Sequence, residues 1–425
     1  MVDRLYYSDS FLTSFDAVVT DIRLVSRTGG EALWQVALDR SAFYPTSGGQ
    51  PFDKGNLTAT SRNGAVLEIP IDEVSEDDQG EVWHYTAKPL IAGTQIHAAI
   101  DWERRLDHMQ QHTGQHLLSA IFSRELSAHT VSFHLGDQSS TIDLNTSSIA
   151  HASLERIERL ANEIIAQDRP ISFRTVSRPE AEALLAGGQL RKLPEREGDI
   201  RLIEIEGIDL NACGGTHLRA TGQIGGLVLR STEKVRQGLR VEFVCGLRAV
   251  AAARRDFSVL TEAAGALSVA SSQLPQSIER LLTEAKHAAK ERQRLREEVA
   301  RYEAAELLAR APVQDGFRIV RKDFADHDAD YVKLLASKLA AHPVTIALLA
   351  SIRHEPASVV FARSAEAKFS CGELMKAALA DLGLRGGGSA TMAQGQILRD
   401  ALNALCDRLE DSAKATAKAG VDQPA

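Results

Sequence analysis

The sequence predicts an α+β protein in four units: a small N-terminal β-barrel at 1–100, a mixed α+β unit at 101–247, a helical hairpin linker at 248–311 and a C-terminal α/β unit at 312–425. Three observations carry that prediction. Short alternating segments broken by turn residues fill the N-terminal stretch, the apolar period switches to helical after Ile100, and helix formers displace strands from Gly246 to about Leu308. The length also exceeds what one hydrophobic core usually serves.

In chain order, alternating segments such as 16–24 and 33–38 read as strands, interrupted across 1–100 by Gly-Gly, Asn-Gly and Gln-Gly turns. Between them and the next strands lies Phe43-Tyr44-Pro45-Thr46-Ser47-Gly48-Gly49-Gln50, taken alone a structural turn in which Gly48 and Gly49 permit conformations closed to other residues. A strand at 95–100 leads into a helix over 103–126, marked by Leu106, Met109, Leu117, Leu118 and Ile121. A hairpin follows at 130–136 and 140–144, then an amphipathic helix at 153–167 and strands at 171–175, 202–205, 227–231 and 240–244. The linker carries one apolar stripe of Phe257, Leu260, Ala264 and Leu267. A second, near heptad spacing, runs from Ile278 and Leu281 through Leu295 and Val299 to Tyr302. Ser271 to Pro275 breaks it, which predicts an antiparallel hairpin; a coiled-coil arm pairing two chains is the alternative. Strands at 317–320, 345–349 and 358–362 then alternate with helices at 330–341 and 372–382. Gly386-Gly387-Gly388 is expected to lead into a last helix over 397–415, offering backbone N–H groups to phosphate or forming a tight turn.

The net charge of −8 argues against a protein coated in basic residues for nucleic acid, yet leaves room for local stripes from Arg230 to Arg248 and from Lys286 to Arg301. Four cysteines do not make a disulfide framework, which fits a reducing compartment and keeps Cys213 available as a thiolate. Cys245, Cys371 and Cys406 read as buried apolar residues. The first residues lack a basic segment followed by an apolar run, and no stretch approaches bilayer-spanning length. The expected location is the cytoplasm, without a membrane partner.

The chemistry concentrates in two segments, His112-Thr113-Gly114-Gln115-His116 and Cys213-Gly214-Gly215-Thr216-His217. Histidines at i and i+4 lie on one helical face, so their imidazoles can converge on one ion. Cys213 and His217 supply the second jaw, and three nitrogens with one thiolate match the preferences of a zinc ion. His108, also four residues from His112, is a rival ligand that ranks lower because four are already present. The helix is not that of a zincin protease, which needs Glu directly after the first histidine; here Thr113 stands there. Four protein ligands normally close the shell of a structural zinc, so an RNA-binding module with a purely structural ion is the competing reading. An open ion suits ester hydrolysis. Thr113, Thr216, Gln115, Thr130 and Ser132 are polar candidates for shaping such a pocket, and Gln115, Thr130 and Ser132 are assigned to the catalytic site, although none is a strong base.

These two segments, with Phe43-Tyr44-x-x-x-Gly48-Gly49-Gln50 before them and Gly386-Gly387-Gly388 to Met392-Ala393-Gln394-Gly395 after, resemble the editing and C-terminal domains of alanyl-tRNA synthetase, in the same order over nearly the whole chain. The first motif lies so near the start that the expectation is a free-standing editing protein that keeps the C-terminal domain. The resemblance implies zinc on His112, His116, Cys213 and His217, and hydrolysis of the ester of mischarged alanine tRNA, chiefly that of serine. Gln115 stands where the synthetase motif commonly has threonine, and 131–134 also departs, which sets glycine or another small residue beside serine as an amino acid to be removed. The glycine-rich C-terminal motif implies tRNA contact or pairing of two chains, through that unit or the linker.

Overall fold

The computed structural model describes residues 2–28, 31–61, 63–194, 198–236, 238–314 and 316–419. They form two compact units, 1–263 and 264–425, in a mixed α+β architecture. Among the described residues no helix is long and apolar enough to cross a membrane.

The first unit begins with a seven-stranded antiparallel sheet in the order Val66–Ile71, Gly55–Thr60, Gln95–Ile100, Ser14–Thr28, Glu31–Leu38, Val82–Thr86, Glu73–Glu76. Strand Ser14–Thr28 serves both halves, pairing with Gln95–Ile100 over its first residues and with Glu31–Leu38 over the rest, where register shifts occur at Val19/Asp21 and Leu24/Ser26. Such bulges bend a strand and increase its twist. The outcome corrects the expected barrel: the sheet curls around Val36, Phe43, Leu57, Ile69, Val74 and Ile96, but among the described residues its pairing ends at two edges. Those edges, Val66–Ile71 and Glu73–Glu76, are joined through Asp72, so the chain itself brings them together without a closing ladder.

Asp101 caps the helix Trp102–Leu126, its side chain accepting from Arg104 N at 3.2 Å, and Ser127 ends it in the left-handed region. From His108 to Ser119 this helix is buried on every side, as a helix running through a core must be. Met109, Leu117, Leu118, Ile121 and Phe122 pack with Ile157, Ala161 and Ile164 of helix His151–Ala166 and with the inner face of a four-stranded sheet. That sheet is antiparallel in the order Thr130–Leu135, Ser140–Leu144, Gly238–Cys245, Leu227–Val235. A three-stranded sheet, Ile171–Val176, Ile200–Ile205 and Asp209–Ala212, delivers the chain to Cys213; its last strand and the short helix Arg178–Ala186 lie outside the sequence expectation.

Helices Gly246–Ala266 and Leu274–Arg310 occupy the linker region, interrupted near Ser271 as expected. The packing face of the second differs from the expected stripe. Ala300, Ala304 and Leu308 are buried against Val332, Leu335 and Leu339 of helix Ala329–Ala340, the small alanines letting the two helices approach closely, while Ile278, Leu281, Leu295, Val299 and Tyr302 are exposed. The second unit holds a six-stranded mixed sheet with one parallel pair, Phe317–Phe324 beside Thr345–Ser351, connected through helix Ala329–Ala340. Gly386–Gly388 is a further correction: it forms an edge strand against Met392–Ile397 and does not open a helix, and the last helix is Arg399–Ala419. A Cβ on Gly386 or Gly388 would collide with Leu379 or the backbone of Met392, so close packing accounts for those two glycines.

Candidate metal centre

His112 and His116 project from the buried helix one turn apart, with ring centroids 5.2 Å from each other. The loop after strand Asp209–Ala212 closes over them. Arg201 fixes this loop, its Nη1 donating to Cys213 O at 3.0 Å and Gly215 O at 2.9 Å while its Nε donates to Tyr7 O. Gly215 is required by proximity: a Cβ there would lie 2.1 Å from His112 Cε1. Ligand atoms of His112, His116, Cys213 and His217 consequently all fall within 4.8 Å of one another.

Cys213 Sγ lies 3.5 Å from His112 Nε2 and 3.3 Å from His217 Nε2. A tetrahedral ion with sulfur at about 2.3 Å and nitrogen at about 2.0 Å sets sulfur–nitrogen separations at about 3.5 Å, so the donor set fits. Each imidazole is also held at its other nitrogen. Gln50 Oε1 stands 2.8 Å from His112 Nδ1, Asp209 Oδ2 3.4 Å from His116 Nδ1 and Thr113 Oγ1 3.2 Å from His217 Nδ1. Such partners fix ring orientation and leave the remaining nitrogens to converge.

The electrostatics follow the geometry. Burial alone would raise the Cys213 thiol, but the imidazoles of His112 and His217 beside it hold it well below the usual thiol range. Burial drives His217 down to about 3. His116 suffers the same burial, yet Asp209 and Cys213 outweigh it and raise the group to about 9. Asp209 is itself oriented by Arg191 and Asn211, each at 2.5 Å. A thiolate with a carboxylate behind it makes this interior a place for positive charge.

The rival His108 does not join the cluster. It is buried one turn earlier, its Nδ1 meets no partner among the described residues, and burial together with Arg104 and Arg248 pushes it down to about 3. Cys245 packs against Gly114 and, like Cys371 and Cys406, is buried, with its thiol pushed up.

Of the three residues assigned to the catalytic site, the structure brings Gln115 and Thr130 together but not Ser132. Gln115 Nε2 donates to Ser119 Oγ at 2.8 Å, and Ser119 Oγ is 2.7 Å from Thr130 Oγ1. A register shift between Thr130 and Ser132 keeps Thr130 on the inner face. Ser132 pairs with Asp143 on the outer face, donating to its carboxylate at 2.7 Å, and Asp143 also receives Arg240. The inner neighbour is Phe133, stacked on His112 with centroids 5.3 Å apart. Gln50, Asp209 and Arg201 were not singled out in the sequence; for Gln50 the signal was the Gly-Gly-Gln motif, for the others there was none. A cavity of about 500 Å³ borders the centre at Cys213 and Gly214, with Thr46, Ser47, Tyr7 and Arg201 among its walls.

The fold and site thus define an α+β protein with a buried three-histidine, one-cysteine cluster able to hold a metal ion. The family described as threonyl and alanyl tRNA synthetase second additional domain matches residues 200–241. The alanyl-tRNA editing protein AlaX-L of Pyrococcus horikoshii is 30% identical over 412 residues, covering 93% of this chain and 95% of that protein. AlaX-M of Methanosarcina acetivorans is 34% identical over 239 residues, 55% of this chain and 94% of that protein. The alanine–tRNA ligase of Pyrococcus furiosus is 32% identical over 406 residues, and the match spans 42% of the ligase. The chain belongs to the alanyl-tRNA editing protein family.

Proposed function

We propose that this chain is a zinc-dependent aminoacyl-tRNA hydrolase that acts in trans on mischarged alanine tRNA, removing serine and also glycine. One observation supports it above the others: three imidazoles, each anchored at Nδ1, converge with a low-pKa thiol beside an open cavity, in a chain of the editing family. In this reading His112, His116, Cys213 and His217 hold the ion, and the thiolate favours zinc over harder cations. Zinc, when bound, acts as a Lewis acid toward a carbonyl and lowers the pKa of water. The protein's own part is positional. Cys213 and Gly214 face the cavity, so the ester approaches on that side. Ser119 ties down Gln115 Nε2, while among the described residues Gln115 Oε1 accepts nothing and is available to a substrate hydroxyl or amine. A site built on such acceptors rejects alanine because its polar groups would be left unpaired. Ser132, on the outer face, acts only through the hairpin that carries Thr130.

The functional division follows the sequence units, with 1–100 and 101–247 forming the hydrolytic part, 248–311 a spacer and 312–425 a tRNA-facing part in the cytoplasm. Pairing of two chains uses the linker or the C-terminal unit, where Ile278, Leu281, Leu295 and Tyr302 are exposed.

The test is deacylation of seryl- and alanyl-tRNA(Ala) by the purified chain. Loss of serine with retention of alanine is expected, abolished by chelator and by Cys213→Ala; equal or absent turnover of both overturns the proposal. The four-ligand set also favours a second reading, an RNA-binding module with a closed structural zinc. There Cys213→Ala lowers thermal stability and tRNA affinity while the wild type hydrolyses neither ester.

A further inference from the structure

We propose that Gln50, on a tight turn of the N-terminal sheet, is a positioning residue for the metal centre: it dictates which nitrogen of His112 carries the proton and staples the two halves of the ligand set together. The inference rests on the four-ligand reading above, and it adds a residue from a part of the chain that supplies no ligand.

Gln50 is fully buried, and its side chain makes three polar contacts. Its Oε1 accepts from Thr216 N at 3.2 Å, its Nε2 donates to Thr216 Oγ1 at 2.8 Å, and Oε1 lies 2.8 Å from His112 Nδ1. The backbone N–H of Thr216 can only donate, so it fixes which end of the amide is oxygen. An oxygen facing His112 Nδ1 can only accept, so the proton sits on Nδ1 and the lone pair of Nε2 faces Cys213. One side chain therefore sets the tautomer of a ligand on the helix and holds the residue next to His217 on the loop.

The turn that carries Gln50 is itself immobilised from both ends. Ser47 and Gln50 exchange backbone hydrogen bonds around Gly48 and Gly49, whose φ values of 55° and 86° are the positive pair a two-residue hairpin turn demands. A Cβ on Gly49 would stand 2.7 Å from the ring of Phe133, the same ring that stacks on His112. Just after the turn, Asp53 accepts from Tyr44 N at 2.6 Å and pairs with Arg105, which sits on the same helix as His112, about two turns earlier. Helix, turn and loop are locked to one another by protein contacts alone.

The test measures zinc affinity of the full chain by competition with a chromophoric chelator, a readout independent of hydrolysis. Gln50→Leu keeps the volume and removes the acceptor; it is expected to weaken zinc binding about 10–100-fold. Gln50→Glu should retain wild-type affinity, because every group facing its carboxylate can donate: His112 Nδ1–H, Thr216 N–H and the Thr216 hydroxyl. A packing role predicts the reverse order, with leucine tolerated and a buried carboxylate harmful. Leucine binding as wild type, or glutamate binding more weakly than leucine, overturns the proposal. If the leucine variant does not fold, Gln50→Asn, which withdraws the amide by one methylene, should show the same loss, and full affinity there is equally fatal. Absence of zinc uptake by the wild type overturns the metal centre and Gln50 with it, whereas wild-type uptake with unaffected variants removes Gln50 alone.

Discussion

The unit spanning 264–425 and the unit spanning 1–263 bury different chemistry. In unit 264–425, strands Thr345–Ser351 and Ala357–Arg363 run among Leu348, Val359, Phe361, Met375 and Leu405, and among the described residues the polar groups buried there are chiefly hydroxyls, those of Ser277, Tyr331, Thr345, Ser351 and Ser364. Unit 1–263 buries Arg105, Asp53, Gln50, Gln111, His84 and the histidines of the candidate metal cluster. Placing such groups out of water costs several kcal/mol each unless every one is paired. They are paired: Arg105 meets Asp53, Ser10 O and Ala42 O, and Gln111 meets Cys245 at both its N–H and its C=O. The difference shows where the chain has traded a plain core for fixed orientation, and that place surrounds His112, His116, Cys213 and His217. Within one helix the contrast repeats, since His112 is anchored by Gln50 while His108, a turn earlier, has an Nδ1 with no partner among the described residues.

The strongest way to break this contrast is Asp53→Ala. It leaves the Arg105 charge buried and uncompensated, a loss of about 3–5 kcal/mol. Chemical denaturation should show unit 1–263 unfolding first, with zinc affinity falling alongside; a single unshifted transition would refute the assignment. Next in size is acid. Burial holds His84 down at about 4, against an ordinary value of 6.5, despite its hydrogen bond to Val36 O. A depressed folded pKa means the unfolded chain takes up the proton first, so stability is intact above pH 6.5 and declines as pH falls toward 4. Its share is on the order of 3 kcal/mol over that window. His84→Gln should flatten the pH dependence of unit 1–263 by up to about 1.4 kcal/mol per pH unit, and an unchanged slope would exclude His84 as the source. The smallest effect is expected at His108→Leu, which removes the unpartnered nitrogen: stability rises by up to about 1 kcal/mol and zinc affinity stays at the wild-type level. Weakened zinc binding in that variant would return His108 to the ligand set.

The four cluster residues were legible because their pairings are local, four residues apart on a helix or in a loop. Their anchors were not: Gln50 with His112, Asp209 with His116 and Thr113 with His217 are separated by 62, 93 and 104 residues. Ser132 falls on the opposite face from Thr130, two residues away, because strict alternation cannot foresee a bulge, and the bulge alone decides which of the two faces inward. The glycine triplet is compatible from sequence with a helix entrance or a tight turn, since glycine admits many backbone shapes; the neighbouring Leu379 and the Met392 strand select an edge strand.

By itself the sequence determined the α+β character, the positions of most helices and strands, and the donor chemistry of the cluster, all of which rest on periods and spacings within a few turns of chain. Only the tertiary structure decided that the N-terminal sheet curls without closing, that Ala300, Ala304 and Leu308 are the packing face of their helix, and that Gln50 reaches across to His112 and Thr216. Those outcomes depend on contacts between segments far apart in the chain, where close packing and the need to pair every buried polar group choose among conformations that local propensity leaves equal.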